Sequence, residues 1–353
     1  MSRGRLDRYA FINAKLKTRL SLVLPDEFFI RLSRTATPNE AVQLLKETPF
    51  APLERIYSET GDLKLVELEL FSMELHFYRE IQKMVDGELL VFVNALLLRP
   101  EIENLKEALR LWLDRSVRRR DISSPLGYMY QGTIYHGMDI NQIVSSADVE
   151  ALRDALEGTP YASLVSANAE EIISSRSLFS LETDLDRFYY SRVRESSAGL
   201  GPEDRAVVER ILGMEIDLEN LERIVRFRSF YGFEAARIRR CLISGGYRID
   251  PEAALSSLGT QDSRDLPPEA LRGYPELSSF SSSGDASSRL LLLEEYLRQV
   301  LFKEVSRLLG GYPFSVGIIL AYFSIRRREV RRLSTILNAK YYGLGEETIG
   351  RYL

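Results

Sequence analysis

The chain has 353 residues, of which 45% are hydrophobic and 28% charged, and a formal net charge of −4. That is enough apolar material for two or three ordinary cores, and the acidic balance argues against a general nucleic-acid binder, whose surface is net basic. The single cysteine, Cys241, excludes an internal disulfide framework and most cysteine metal sites, fits a reducing compartment and reads as a core filler.

Arg3, Arg5, Asp7 and Arg8 lead into Tyr9, Ile12, Leu16 and Leu20, whose spacing predicts a first helix over residues 1–20. A charged start followed by an apolar core and a small-residue cleavage site is not seen, so the expected location is the cytoplasm. Further on come Thr48-Pro49-Phe50, Glu74-Leu75 with Tyr78, and the apolar run Leu89 to Leu98. That run and Pro313 to Ile325 fall short of the roughly 20 residues needed to cross a bilayer, so both read as buried helices.

At Glu101-Ile102-Glu103-Asn104-Leu105 begins the pattern that organises the chain. It returns 116 residues on as Asp217-Leu218-Glu219-Asn220-Leu221, and 112 beyond that as Glu329-Val330-Arg331-Arg332-Leu333. Aligned on this frame, Ile102, Leu218 and Val330 coincide, followed by Leu105, Leu221 and Leu333, then Ala108, Ile224 and Ile336, then Leu109, Val225 and Leu337. Apolar positions at i, i+3, i+6 and i+7 share one face of a 3.6-residue helix but not of a strand, so each copy predicts an amphipathic helix.

The echoes extend to the flanks. Thr48-Pro49-Phe50 is matched by Thr159-Pro160-Tyr161, and Glu74-Leu75 with Tyr78 by Asp184-Leu185 with Phe188. Tyr231-Gly232-Phe233, Ile238 and Leu242 recur at an offset of 111 as Tyr342-Gly343-Leu344, Ile349 and Leu353. Gly232 and Gly343 read as left-handed helix ends, and Gly245-Gly246 as a chain reversal. The third copy keeps an acidic-aromatic helix at Glu294-Glu295-Tyr296-Leu297 but moves its proline-aromatic turn to Pro313-Phe314.

The period exceeds that of ordinary solenoid units, which leads us to expect three related helical domains. Their expected extents are 21–135, 136–250 and 251–353, after the N-terminal helix. The stretch rich in Ser, Gly, Pro and Asp at 256–288 reads as a loop in the last of them. Asn104 and Asn220 are read as amides that tie a helix to a neighbouring helix end or loop, with Arg332 replacing them in the third copy.

Candidates for chemistry are few. His76 and His136 have no metal-binding spacing, and there is no GxxxxGK[ST] phosphate loop. Gly199-Leu200-Gly201 lacks the third glycine of a dinucleotide fingerprint, and the adjacent pairs Glu170-Glu171 and Glu294-Glu295 diverge around a helix rather than forming an acid/base couple. Neither a cofactor nor catalysis is expected. The basic clusters Arg118-Arg119-Arg120 and Arg326-Arg327-Arg328 with Arg331-Arg332 read as solvated helix charge, or as contacts to an acidic partner or to lipid head groups at a membrane surface.

The second copy, Glu215-Ile216-Asp217-Leu218-Glu219-Asn220-Leu221 through Arg226, Tyr231-Gly232 and Leu242-Ile243-Ser244-Gly245-Gly246, resembles the C subunit of A-type and bacterial V-type ATP synthases, a family that includes the d subunit of eukaryotic V-ATPases. The opening Tyr9-Ala10-Phe11-Ile12-Asn13-Ala14-Lys15 is similar to that family's N-terminal segment. Pro313-Phe314 through Ala321-Tyr322, Glu329-Val330-Arg331 and Ile336 are similar to its closing segment, although Arg332-Leu333-Ser334 stands where the family shows Asn-Leu-Arg.

The resemblance implies an all-α protein of three similar domains in a funnel with pseudo-threefold symmetry. It further implies a non-catalytic central-stalk subunit at the cytoplasmic face of the membrane, whose partners are shaft subunits of D/F type and the proteolipid ring, serving ATP-linked H⁺ or Na⁺ transport. The alternative on composition alone is a free-standing helical scaffold that binds regulatory proteins or peptides.

Overall fold

A computed structural model of the chain describes residues 3–120, 123–229, 231–257, 266–279 and 286–344. Residues 258–265 and 280–285 of the serine-rich stretch, together with Ile349 and Leu353, lie outside the described residues.

Among the described residues the protein is all-α, with no strand. In chain order the helices are α1 (Arg3–Leu20), α2 (Asp26–Ser33), α3 (Pro38–Gln43), α4 (Ala51–Thr60), α5 (Leu63–Gln82), α6 (Gly87–Leu96), α7 (Leu98–Ser116), α8 (Ser123–Leu126) and α9 (Ile140–Ser145). They continue as α10 (Val149–Ala155), α11 (Tyr161–Ser175), α12 (Phe179–Ser197), α13 (Pro202–Ser229), α14 (Ala235–Arg239), α15 (Pro251–Ser257), α16 (Pro268–Gly273), α17 (Ala286–Arg307) and α18 (Gly317–Tyr341).

Local chemistry sets many of the boundaries. Thr37, Asp62, Asp139 and Asp148 each cap a helix by accepting a backbone N–H with the side chain, and Gly61 ends α4 in the left-handed region at φ 65°. The echo between Thr48-Pro49-Phe50 and Thr159-Pro160-Tyr161 is one turn built twice. Each threonine hydroxyl donates to the carbonyl three residues back, Leu45 or Leu156, and accepts the N–H two residues on, from Phe50 or Tyr161. Phe50 and Tyr161 are thereby sent fully into the interior.

The repeated stripe is the inner face of α7, α13 and α18. All twelve of its positions are buried except Val225, which is partly buried. At about 1.5–3 kcal/mol for each large apolar side chain removed from water, the stripes do much to hold these helices down.

The chain folds into two compact units, each drawn from separate parts of the sequence. One unit comprises Met1–Ser21 and Leu200–Ile325, and the other Leu22–Gly199 and Arg326–Arg351. The boundary after Gly199 coincides with neither of the repeat boundaries expected from the sequence.

In the first unit α13 is the spine, with α14, α15 and α17 packed along it. Ile211, Val305 and Ala321 form a core cluster covered by Leu301, Leu308, Leu309 and Leu320. Asp204, in the first turn of α13, accepts the Tyr9 hydroxyl of α1 at 2.8 Å and the Val316 N–H at 3.0 Å, so one buried carboxylate ties three segments together. In the second unit α7 packs on α9 and α12, α11 on α10 and α12, and α6 on α12.

The stretch read as a loop at 256–288 is in part helical. Pro268 opens α16 at a position where its missing N–H costs nothing, a short 3-10 turn covers Pro275–Ser279, and Ala270, Tyr274 and Leu277 are buried. Serine and proline content hid a segment that three apolar side chains fasten down.

Candidate functional site: buried acids and the arginines of the last helix

The first residue of the repeated pattern is in all three copies a buried acid. Glu101, Asp217 and Glu329 are no more than 2% exposed. Each stands on the stripe-bearing helix and takes hydrogen bonds from a loop that returns over it.

Glu101 accepts the backbone N–H groups of Tyr135 and His136 at 2.7 and 2.6 Å, meets His136 Nδ1 at 2.6 Å, and accepts the Tyr161 hydroxyl at 2.7 Å. Asp217 accepts the N–H groups of Tyr247 and Arg248 at 3.0 and 2.6 Å and the Tyr274 hydroxyl at 2.8 Å. Glu329 accepts the Leu24 N–H at 2.8 Å and pairs with Arg326 at 2.6 Å.

Two of the modules take their loop from the sequence that follows, whereas α18 takes its loop from residues 22–50. There Phe50 stands where the others have Tyr161 and Tyr274. With no phenol available, the Arg326 guanidinium faces Glu329 as its counter-charge and lies over the rings of Phe77 at 4.0 Å and Phe50 at 5.7 Å.

Burial raises the carboxyls of Asp217 and Glu329 above the usual carboxylate range, against the pull of their donors, and it also pushes up the phenols of Tyr161 and Tyr274. Carboxylates engaged in this way hold a loop on a helix. Gly246 shows how close the approach is, since a Cβ there would collide with Asp217 Oδ1. In the sequence these acids open the repeated pattern without a role assigned to them. The available signal was an acid at the same frame position in every copy, while two residues on the side chain changes from Glu103 and Glu219 to Arg331.

The amides lie beside them. Asn220 donates to Ile243 O and accepts Ile243 N–H, both at 2.8 Å, and Asn104 donates to Tyr130 O at 3.0 Å. Gly232, Gly245 and Gly343 have φ of 61°, 94° and 69°.

The basic run of α18 is largely turned inward within the second unit. Arg326 is buried as described. Arg327 bridges Glu74 at 3.0 Å and Glu103 at 2.8 Å, and burial raises the Glu74 carboxyl while Arg327 pulls it down. Arg332 pairs with Asp26 at 2.5 Å and stacks on Phe29 at 3.9 Å, and its hydrogen bond holds the Asp26 carboxyl below its ordinary value. Arg328 is partly buried and Arg331 exposed. Lys340 adds a buried bond of 2.6 Å to Ser33 O.

The other cluster differs. Arg118, Arg119 and Arg120 are exposed at the end of α7, where Arg119 turns left-handed at φ 59° and Arg118 and Arg120 both reach Asp114, at 2.9 and 3.6 Å. His76 is exposed and meets Glu80 at 3.6 Å, and Cys241 is buried. Among the described residues no group of three or more His, Cys, Asp or Glu is placed to hold a metal ion, and no helix is long and apolar enough to cross a membrane.

These features define an all-α protein of recurring helix-and-loop modules, each pinned by a buried acid. Its sequence matches the profile of the ATP synthase (C/AC39) subunit family over residues 12–352, and the chain belongs to that family. Among curated relatives, the C subunit of the A-type ATP synthase of Methanosphaera stadtmanae is 21% identical, with 94% of this chain and 84% of the relative covered. The protein of the same description from Archaeoglobus fulgidus is 25% identical over 99% of this chain and 97% of its own, and that from Pyrococcus horikoshii 23% over 93% and 85%. The family is one of structural ATP synthase subunits that are not catalytic by themselves.

Proposed function

We propose that this chain is the central-stalk subunit of a rotary A/V-type ATP synthase. In this role it couples the rotating shaft, of D/F type, to the membrane proteolipid ring at the cytoplasmic face for ATP-linked H⁺ or Na⁺ transport. The observation that carries the reading is the family match over residues 12–352, with C subunits of A-type ATP synthases alignable along nearly the whole chain.

The geometry supports it on physical grounds. A part that passes torque needs loops that do not slide on their helices, and a buried acid hydrogen-bonded to the loop gives each loop one fixed seat. The recurrence of that acid in all three copies favours descent from one helical domain and supports a funnel with pseudo-threefold symmetry. For contact with acidic groups of the partners, Arg118, Arg119 and Arg120 are the favoured candidates, because all three are exposed; of the α18 run, Arg331 is exposed too.

The test is affinity purification of the tagged full-length chain from detergent-solubilised membranes. The shaft and proteolipid subunits are expected to co-purify, and membranes lacking the chain are expected to keep ATP hydrolysis in the head while losing ATP-driven ion pumping. Recovery of the chain without those subunits, or pumping that survives its removal, would overturn the reading.

A further inference from the structure

Within the second unit an open cavity of about 560 Å³ lies between α5 and α7. That volume suits a large side chain or short segment of a ligand. Leu68 and Phe71 of α5 and Leu111 of α7 supply apolar lining, and Glu103, Asn104 and Glu107 of α7 supply polar lining.

Glu103 and Glu107 stand four residues apart on one helix ridge, a spacing at which like charges repel. Their side chains are 50% and 61% exposed. Arg327 engages Oε1 of Glu103 and Arg110 engages Oε1 of Glu107, which leaves Oε2 of both without a partner among the described residues. Asn104 is 8% exposed; its Nδ2 donates to Tyr130 O, and its Oδ1 has no hydrogen-bond partner among the described residues.

The second copy shows how the same corner looks when the chain completes it. There Glu219, Asn220 and Arg223 occupy the frame positions of Glu103, Asn104 and Glu107. Arg223 is 7% exposed, donates to Glu219 from Nε and Nη2 at 3.1 and 3.0 Å, and donates from Nη1 to Cys241 O at 2.9 Å. Asn220 uses both ends of its amide on Ile243. The first copy has a carboxylate where the second has this guanidinium, so its corner is left open, with carboxylate and amide oxygens that still lack a donor.

We infer that the cavity receives an arginine side chain from a basic amphipathic helix of a partner protein. The guanidinium sits between Glu103 and Glu107 with a hydrogen bond to Asn104 Oδ1, and apolar side chains of the same helix lie on Leu68, Phe71 and Leu111. The inference does not depend on the coupling role proposed above.

The probes are two synthetic amphipathic peptides of about 16 residues, long enough to hold a helix, that share a leucine stripe and carry either arginine or glutamate on the polar face. Binding to the full-length chain is measured by fluorescence anisotropy. The arginine peptide is expected to bind and the glutamate peptide not to. Glu107→Gln is expected to weaken binding several-fold, and Glu103→Gln/Glu107→Gln at least about tenfold.

Glu107→Arg places in the first copy the residue the second copy has, and is expected to abolish binding while the circular dichroism spectrum and Tm stay as in the wild type. Equal binding of the two peptides, absence of binding by the arginine peptide, or undiminished binding by folded Glu107→Arg would overturn the inference. None of these outcomes bears on co-purification with the shaft and ring, which tests the coupling role separately.

Discussion

The Tyr274 hydroxyl donates to Oδ2 of Asp217 across 2.8 Å, joining residues 57 apart in sequence at a buried point of the first unit. Tyr161 and Glu101 do the same in the second unit at 2.7 Å. Removing either phenol leaves a buried carboxylate short of one donor. Tyr274→Phe and Tyr161→Phe are each expected to cost about 1.5–3 kcal/mol, read as a lower urea midpoint at unchanged slope. A neutral result in both variants would remove the buried acids from the account of stability.

Arg326 and Glu329 form a second test, because both are buried and each is the other's charge partner. Arg326→Met is expected to destabilise by about 3–5 kcal/mol, since it strands the carboxylate. Adding Glu329→Gln, which keeps an acceptor for the Leu24 N–H, is expected to restore part of that loss. The measurement is a double-mutant cycle by chemical denaturation, in which strict additivity would contradict the pairing.

Gly246 is needed for a close approach. Gly246→Ala places a methyl group against Asp217 Oδ1 and is expected to cost about 1–3 kcal/mol, whereas Gly201→Ala, where a Cβ meets nothing within 4 Å, is expected to be nearly silent. Thermal unfolding of the two variants side by side makes the comparison.

Glu222 carries a pH prediction. Burial first, and then the neighbouring charges of Glu219 and Glu294, push its carboxyl up to about 7, although Arg226 lies 2.6 Å away and opposes the shift together with Arg298. The folded state therefore keeps a proton that the unfolded state has lost once pH exceeds its ordinary value near 4.5. Stability from this group is present below about 4.5 and declines as pH rises through about 7, by on the order of 3 kcal/mol. Tm measured from pH 5 to 8 is expected to fall less in Glu222→Gln than in the wild type; parallel curves would show that the group does not titrate in this window.

The helices were the legible part. Ile102, Leu105, Ala108 and Leu109 announce one face of α7 because helical periodicity is a local property, and the same spacing announced α13 and α18. Asn220 was legible as a tie to a neighbouring helix end or loop because the amide recurs at the same place as Asn104; that the partner is a loop came from the structure. Tyr274 was not legible, because it sits in a stretch whose serines and prolines read as linker, and only the fold brings it against Asp217.

The arginines of α18 show the same boundary more sharply. All five look alike in a basic run, yet Arg327 meets Glu103 from 224 residues away and Arg332 meets Asp26 from 306. A buried cation needs a counter-charge in reach, and that partner can come from anywhere in the chain.

The sequence by itself determined that the chain is helical, which face of each repeated helix turns inward, and the family to which it is similar, all properties of residues within a few turns of one another or of the pattern as a whole. The tertiary structure alone decided which loop each buried acid holds, which arginines are internal, and that α18 returns to residues 22–50. Those choices follow from the desolvation of charge, which only specific distant donors can offset.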